Sequence, residues 1–202
     1  MAARVDKVVV SGVFSLDGQD FDVDNNVWLV GDDDEVLVID APHDAAPIVA
    51  AVGGRRVTAI VLTHGHNDHI TAAPALRKAT GAPIWFHPAD RMLWDMVHGG
   101  IDPDEELAEG TAFRVAGTTL TALHTPGHSP GSTCLHAPDL ATVFTGDTLF
   151  SGGPGATGRS FSDHPTIVNS IRSRLLTLHG DTVVRTGHGD DTTIQAELRT
   201  VG

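Results

Sequence analysis

The chain has 202 residues, enough for one domain to bury a substantial core without disulfides, and its single Cys134 excludes an internal one. A formal net charge of −13, with only Lys7 and Lys78 as lysines, argues against a nucleic-acid partner, whose binding draws on clustered cations. No apolar run has the length of a membrane span, and the start MAARVDKVVV lacks a signal-peptide core, so a cytoplasmic protein with no membrane partner is expected.

Taken in chain order, Val27 to Val30 and Val36 to Ile39 flank the polar stretch Gly31 to Glu35 and predict a β-hairpin. Asp44 to Val52 predicts a short helix, with Asp44 as its cap and Gly53 as its stop. Val57 to Leu62 is nearly continuous and apolar, the pattern of a strand buried on both faces. Ile70 to Thr80 predicts a helix ending at Gly81, with Pro74 tolerated only in a first turn. Short strands follow at Ile84 to Phe86, Thr118 to Leu123, Ser132 to Leu135 and Thr142 to Thr145. Pro165 to Leu178 places Ile167, Val168, Ile171, Leu175 and Leu178 on one helical face, and Val183 to Thr186 predicts a last buried strand. Gly152 to Gly158 predicts a mobile loop, and the acidic runs Asp32 to Glu35 and Asp102 to Glu106 predict solvated turns. Interleaved strands and helices point to an α/β fold, and with no repeat, linker or shift in composition residues 1–202 are read as one domain.

Twelve histidines fall into a pattern. The densest cluster is Thr63-His64-Gly65-His66-Asn67-Asp68-His69, directly after the apolar strand, where Gly65 gives the backbone freedom for a tight loop. Imidazoles and carboxylates together suit zinc, iron or manganese. His128 lies in the turn Thr125-Pro126-Gly127-His128-Ser129-Pro130-Gly131, Asp147 ends the strand Phe144-Thr145-Gly146, and His188 follows Thr186-Gly187. Four strand-end loops thus each present His or Asp, as a site at the rim of a sheet requires. Cys134 falls in a strand and is read as core. His43, His87, His98, His136, His164 and His179 have no motif context and are read as surface or helix-end residues, whereas His124 lies close enough to the turn to touch the site indirectly. Trp85 and Trp94 are read as core or pocket wall, and whether 87–110 covers the pocket is left open.

In these motifs, together with Asp40 at the end of Val36-Leu37-Val38-Ile39, the chain resembles the metallo-β-lactamase superfamily, and within it the glyoxalase II-like branch, from about Asn26 to His188. The resemblance implies a four-layer αββα sandwich with the metal site at the edge of the two sheets. It implies two divalent metal ions, zinc before iron or manganese. His64, His66 and His128 would hold the first, and Asp68, His69 and His188 the second. Asp147 would bridge them and Asp40 would orient the ligand loop from behind. The implied activity is hydrolysis of a small-molecule substrate by a metal-bound hydroxide, with Asp68 and Asp147 as the catalytic carboxylates and no serine or cysteine nucleophile.

The fold hosts many reactions. The commonest β-lactamase subclass has Cys where this chain has Asp68, RNA-processing members carry basic surfaces and insertions, and lactonases share the ligand set. The closest resemblance is to small glyoxalase II-like enzymes that cleave thioesters of a low-molecular-weight thiol. The chain ends fourteen residues after His188, without the helical C-terminal domain that helps larger members hold glutathione. Abundant Ala, Gly and Val, with Arg exceeding Lys, suggests a GC-rich genome, and an actinobacterial source would bring mycothiol conjugates beside glutathione ones. The alternative is a persulfide dioxygenase using one iron at His64, His128 and Asp147. That branch continues with Gly-Arg-Thr-Asp where this chain has Gly158-Arg159-Ser160-Phe161, a pair read as fixing a loop or facing substrate. A non-catalytic scaffold member is the third reading, disfavoured by the intact ligand set.

Overall fold

The computed structural model describes residues 2–201. Strands β1 (Arg4–Leu16) and β2 (Gln19–Gly31) form a long antiparallel hairpin. Its turn, Asp17-Gly18, has both residues at positive φ, 54° and 72°, the geometry that matches the twist of paired strands. Strand β2 continues antiparallel into β3 (Glu35–Ile39), and the sheet is completed by β4 (Arg56–Val61), β5 (Ile84–Phe86) and β6 (Glu105–Glu106) in parallel. The second sheet contains β7 (Ala112–Val115), β8 (Thr118–His124), β9 (Thr133–Ala137), β10 (Thr142–Gly146), β13 (Val183–Thr186) and β14 (Thr192–Thr193). Between β10 and β13 lies a small ribbon of β11 (Leu149–Phe150) and β12 (Gly153–Pro154).

Side-chain alternation divides the apolar residues into three cores. Trp28, Val30, Leu37, Ile39, Ala59 and Val61 of the first sheet meet Leu120, Ala122, Leu135 and Phe144 of the second. The opposite face of the first sheet packs on α1 (Ala45–Val52), α3 (Ala73–Thr80) and α4 (Arg91–His98) through Ile48, Leu76 and Trp94. The opposite face of the second packs on α5 (His164–Ser170) and α6 (Ile194–Val201) through Ile167 and Ile194. Two sheets face each other with helices outside both. At about 25 cal/mol per Å² of apolar surface removed from water, it is these three layers that set the stability.

The α1 helix is capped as expected: Asp44 accepts from the Ala46 N–H at 2.9 Å, and Gly53, at φ 63°, ends it. Other expectations need correction. The hairpin expected of Val27–Val30 and Val36–Ile39 is present as β2 and β3, but β2 begins at Gln19 and also pairs with β1 over thirteen residues across the Asp17-Gly18 turn, a hairpin not expected from the sequence. The helix expected over Ile70–Thr80 is broken at Thr71-Ala72 into a single turn, α2 (Asn67–Ile70), and α3, whose first turn accommodates Pro74. The helix expected to reach Leu178 widens after Ser170 into a π-type turn, with Leu176 N–H donating to Ile171 O at 2.9 Å, and ends at Leu175. Part of Gly152–Gly158 is strand. Neither acidic run is only a solvated turn. Buried Asp32 accepts from the Asp34 and Glu35 amides, Asp104 accepts from the Ile84 amide, and Glu105-Glu106 pair with β5. Trp94 is fully buried, Cys134 is buried with its thiol pushed up to about 11 by burial, and no residue of 87–110 lines the histidine pocket.

Candidate metal centre

The seven His and Asp residues singled out from the sequence converge where the C-terminal ends of β4, β10 and β13 meet across the two sheets. Three groups have donor atoms within 4.8 Å of one another: His64, His66 and His128; His64, His69 and Asp147; and Asp68, His69 and His188. His66 Nδ1 lies 3.0 Å from both His64 Nε2 and His128 Nε2. His69 Nε2 lies 3.2 Å from His188 Nε2. Asp147 stands between the groups, with Oδ1 3.4 Å from His69 Nε2 and Oδ2 3.4 Å from His188 Nε2 and 3.6 Å from His128 Nε2.

Local chemistry fixes which ring nitrogen faces inward. His188 Nδ1 is 2.8 Å from the Asp24 carbonyl and His128 Nδ1 is 2.9 Å from the Ala156 carbonyl; a carbonyl only accepts, so both nitrogens donate and both Nε2 lone pairs point into the cluster. His69 Nδ1 is 2.8 Å from Asp40 Oδ2. The Thr63 hydroxyl donates to Asp40 Oδ2 at 2.9 Å and accepts from His64 Nδ1 at 3.1 Å. Asp40 also accepts from the Thr63 amide at 2.7 Å, so one buried carboxylate steadies two of the imidazoles. Its φ of 65° is left-handed on a residue with a side chain, strain of the kind held at functional sites.

Converging lone pairs repel unless a proton or a cation lies between them. Buried His66 Nε2, Asp68 Oδ1 and Asp147 Oδ1 have no hydrogen-bond partner among the described residues. His66 turns Nδ1 inward, so its Nε2 carries the ring hydrogen. The two orphaned carboxylate oxygens, beside imidazoles turned inward, are a donor set suited to divalent metal ions, and the nitrogen and carboxylate composition fits zinc, iron or manganese. In the absence of metal the imidazoles of the two groups are shifted in opposite directions. Burial keeps His64 neutral, well below the ordinary imidazole range, and takes His66 down to about 3, with His128 adding to the effect. At the other triad burial opposes protonation, but Asp147 and Asp68 overcome it. His188 is raised to about 10 and His69 also lies well above its ordinary value, while burial of Asp147 is outweighed by those imidazoles, which hold its carboxyl well below the usual range.

A pocket of about 390 Å³ opens over the cluster, lined by His66, Asp68, His128, Asp147 and His188 with Phe14, Val23, Phe150 and Ala156 as its apolar wall. Phe14 and Val23 come from the first hairpin, which overhangs the site. Arg159 secures the hairpin tip, bonding Gln19 at 3.0 Å and stacking over Phe21, so it fixes a loop. His124 stacks on His87 and bonds the Pro130 carbonyl at 2.9 Å, buttressing the His128 turn from outside.

Three contributors were not legible in the motifs. Asp90, fully buried, accepts from the Gly65 amide at 2.8 Å, the Gly131 amide at 2.5 Å and the Ser129 hydroxyl at 2.6 Å, clasping the loop of His64 and His66 to the loop of His128. Burial raises its pKa, and the three donors pull the other way. Asn25, fully buried in β2, reaches Asp68 at 3.1 Å. His43 bonds Asn25 at 2.7 Å and is not the surface residue expected of it. The one sequence signal for Asn25 was an Asn pair interrupting an apolar strand.

The metallo-β-lactamase superfamily model matches residues 21–188, most of the chain and the whole donor set. The chain belongs to that superfamily. It is 33% identical to the hydroxyacylglutathione hydrolase GloC of Haemophilus influenzae over 190 residues, 86% of this chain and 90% of that one. Among solved structures it is similar to the BLEG-1 B3 metallo-β-lactamase, with a TM-score of 0.80, 29% identity and coverage of 94% and 97% of the two chains. It is also similar to TTHA1623 in a di-iron-bound form, with a TM-score of 0.78, 34% identity and coverage of 88% and 94%. The layered architecture is therefore the metallo-β-lactamase fold, and the protein is a metallo-hydrolase of this superfamily.

Proposed function

We propose that this superfamily member is a dinuclear hydrolase that cleaves a thioester of a low-molecular-weight thiol. The observation that carries the reading is Asp147 standing between two triads, each with inward-facing donors, at the floor of a single apolar-walled pocket. His64, His66 and His128 would hold one ion, Asp68, His69 and His188 the other, and Asp147 both. When bound, two ions in such a site supply Lewis acidity and a hydroxide at neutral pH. The chain's own residues do the rest. Asp147 offsets the repulsion of two dications. Asp40 and the Asp24 and Ala156 carbonyls keep the imidazoles aimed. Phe14, Val23, Phe150 and Ala156 exclude water around the acyl group. Likeness to GloC supports a hydroxyacyl-thiol substrate, whether a glutathione or a mycothiol conjugate, and zinc is the first candidate metal.

Metal analysis of the purified protein, with turnover of S-lactoyl-glutathione and the corresponding mycothiol thioester, tests this. Two ions per chain and release of free thiol are expected, and Asp147→Ala is expected to lose both metal and turnover. One iron per chain with oxygen uptake on a thiol persulfide, or near-native metal content and rate in Asp147→Ala, overturns it.

A further inference from the structure

We propose that Asn25 and His43 form a relay that positions Asp68 at the second metal position. The inference rests on the two-ion reading above and extends it to residues outside the donor set. Asn25 Nδ2 lies 3.1 Å from Asp68 Oδ2, 3.2 Å from His69 Nε2 and 3.4 Å from His188 Nε2, so one amide group faces all three members of that triad. Its other atom, Oδ1, lies 2.7 Å from His43 Nε2.

The orientation of this amide follows from what its neighbours can do. A carboxylate oxygen only accepts, so the amide nitrogen faces Asp68 and the carbonyl faces His43. His43 must then carry its hydrogen on Nε2. The result is a directed chain, from His43 Nε2–H to Asn25 Oδ1 and from Asn25 Nδ2–H to Asp68 Oδ2. A carboxylate oxygen has more than one lone pair, so Asp68 Oδ2 can accept this bond and still face the triad. With the imidazole lone pairs committed to an ion, Asp68 is the one acceptor of the three left for the amide.

The fold bears three local costs to make this chain. His43 adopts φ 48°, left-handed on a residue with a bulky side chain. Gly12, inside a thirteen-residue strand, leaves the slot the imidazole occupies, since a Cβ there would lie 2.2 Å from His43 Nδ1. Asn25 places a polar amide at a fully buried position of β2. Strain, a strand glycine and a buried amide converge on one contact, and that contact ends on Asp68. Asn25 also pairs through its backbone with His188 across the two sheets, so the relay spans the junction between the parts of the triad.

The test is titration of the metal-free full-length protein with Co²⁺ against a chelator, following the visible spectrum of each binding step. His43→Gly removes the imidazole and relieves the left-handed backbone. It is expected to leave the first step unchanged and weaken the second ~10- to 100-fold, the loss typical when a ligand loses its outer partner. His43→Gln, whose amide N–H can occupy the place of Nε2–H, is expected to restore the second step. Asn25→Asp, which sets a second carboxylate against Asp68, is expected to weaken it. Circular dichroism verifies folding of each variant. Equal loss of both steps, native-like second-step affinity in His43→Gly, or tighter binding in Asn25→Asp, which would make residue 25 a ligand, overturns the inference. A single step in the unaltered protein overturns it together with the two-ion reading. Absence of thioester turnover, with the second step weakened as described, counts against the substrate and not against the relay.

Discussion

Gly187→Ala probes the centre with a single methyl group. Gly187 lies outside the left-handed region, so alanine meets no backbone penalty there. Its Cβ, however, would lie 2.2 Å from Asp147 Oδ1 and 2.9 Å from His69 Cε1. The backbone cannot retreat, because Gly187 N–H donates to Gly146 O at 2.8 Å and Gly187 O accepts from Asn26 N–H at 2.8 Å. Relief must come from the carboxylate, which has to move by about 1 Å to reach ordinary contact, a misplacement that typically costs ~10²-fold in rate. Overpacking of this kind costs ~1–3 kcal/mol, which a domain stable by ~5–15 kcal/mol survives. The expected variant is folded, melts somewhat lower, retains less metal and turns over ~10²-fold more slowly. Thermal denaturation, metal analysis and turnover of the best thioester measure the three quantities. A folded Gly187→Ala protein with native metal content and rate would refute the placement of Asp147 at the heart of the site.

Asp90→Asn replaces two accepting oxygens by one, so either the Gly65 or the Gly131 amide loses its partner. An orphaned buried donor costs ~1–3 kcal/mol, or ~2–12 °C in melting temperature for a domain of this size. Metal loss to a chelator should also be faster; an unchanged melting curve and chelation rate would show that Asp90 is not the clasp. In the metal-free protein the contacts of charged His188 stabilise fully below its ordinary pKa of 6.5 and are lost as pH rises through about 10. Filling that triad must expel the proton, so the second-step affinity should rise ~tenfold per pH unit near neutrality for each proton released. Calorimetry in buffers of different ionisation heat reads the proton count, and zero protons at neutral pH would contradict it.

The strand-end ligands were legible because chemistry and local geometry coincide in them. Gly65, Gly127 and Gly187 each accompany a metal-capable side chain at the end of an apolar run, and all seven such residues meet in one place. The capping of α1 by Asp44 was legible for the same reason, since an N-cap needs only its own next turn. Asp90, Asn25 and His43 were not. Their partners lie 18 to 41 residues away or more in sequence, and nothing local distinguishes a buried acceptor from a solvated one. Asp90 begins a helix whose exposed face is ordinary. His43 sits in a turn that reads as surface, and only the slot left by Gly12 brings it inward. The break at Thr71-Ala72 was hidden because the apolar period continues through it. There the chain must first aim Asp68 and His69 at the cluster and then turn to cover the sheet.

Each triad draws two members from the amino-terminal half of the chain and one from the carboxy-terminal half: His64 and His66 wait for His128, and Asp68 and His69 wait for His188. On the proposed assignment, a ribosome-bound chain has no complete pair of cages until β13 and the His188 that follows it have emerged and docked. Loading then becomes the closing event of maturation, and the ions seat themselves between two half-molecules that the apolar core between the sheets has already joined.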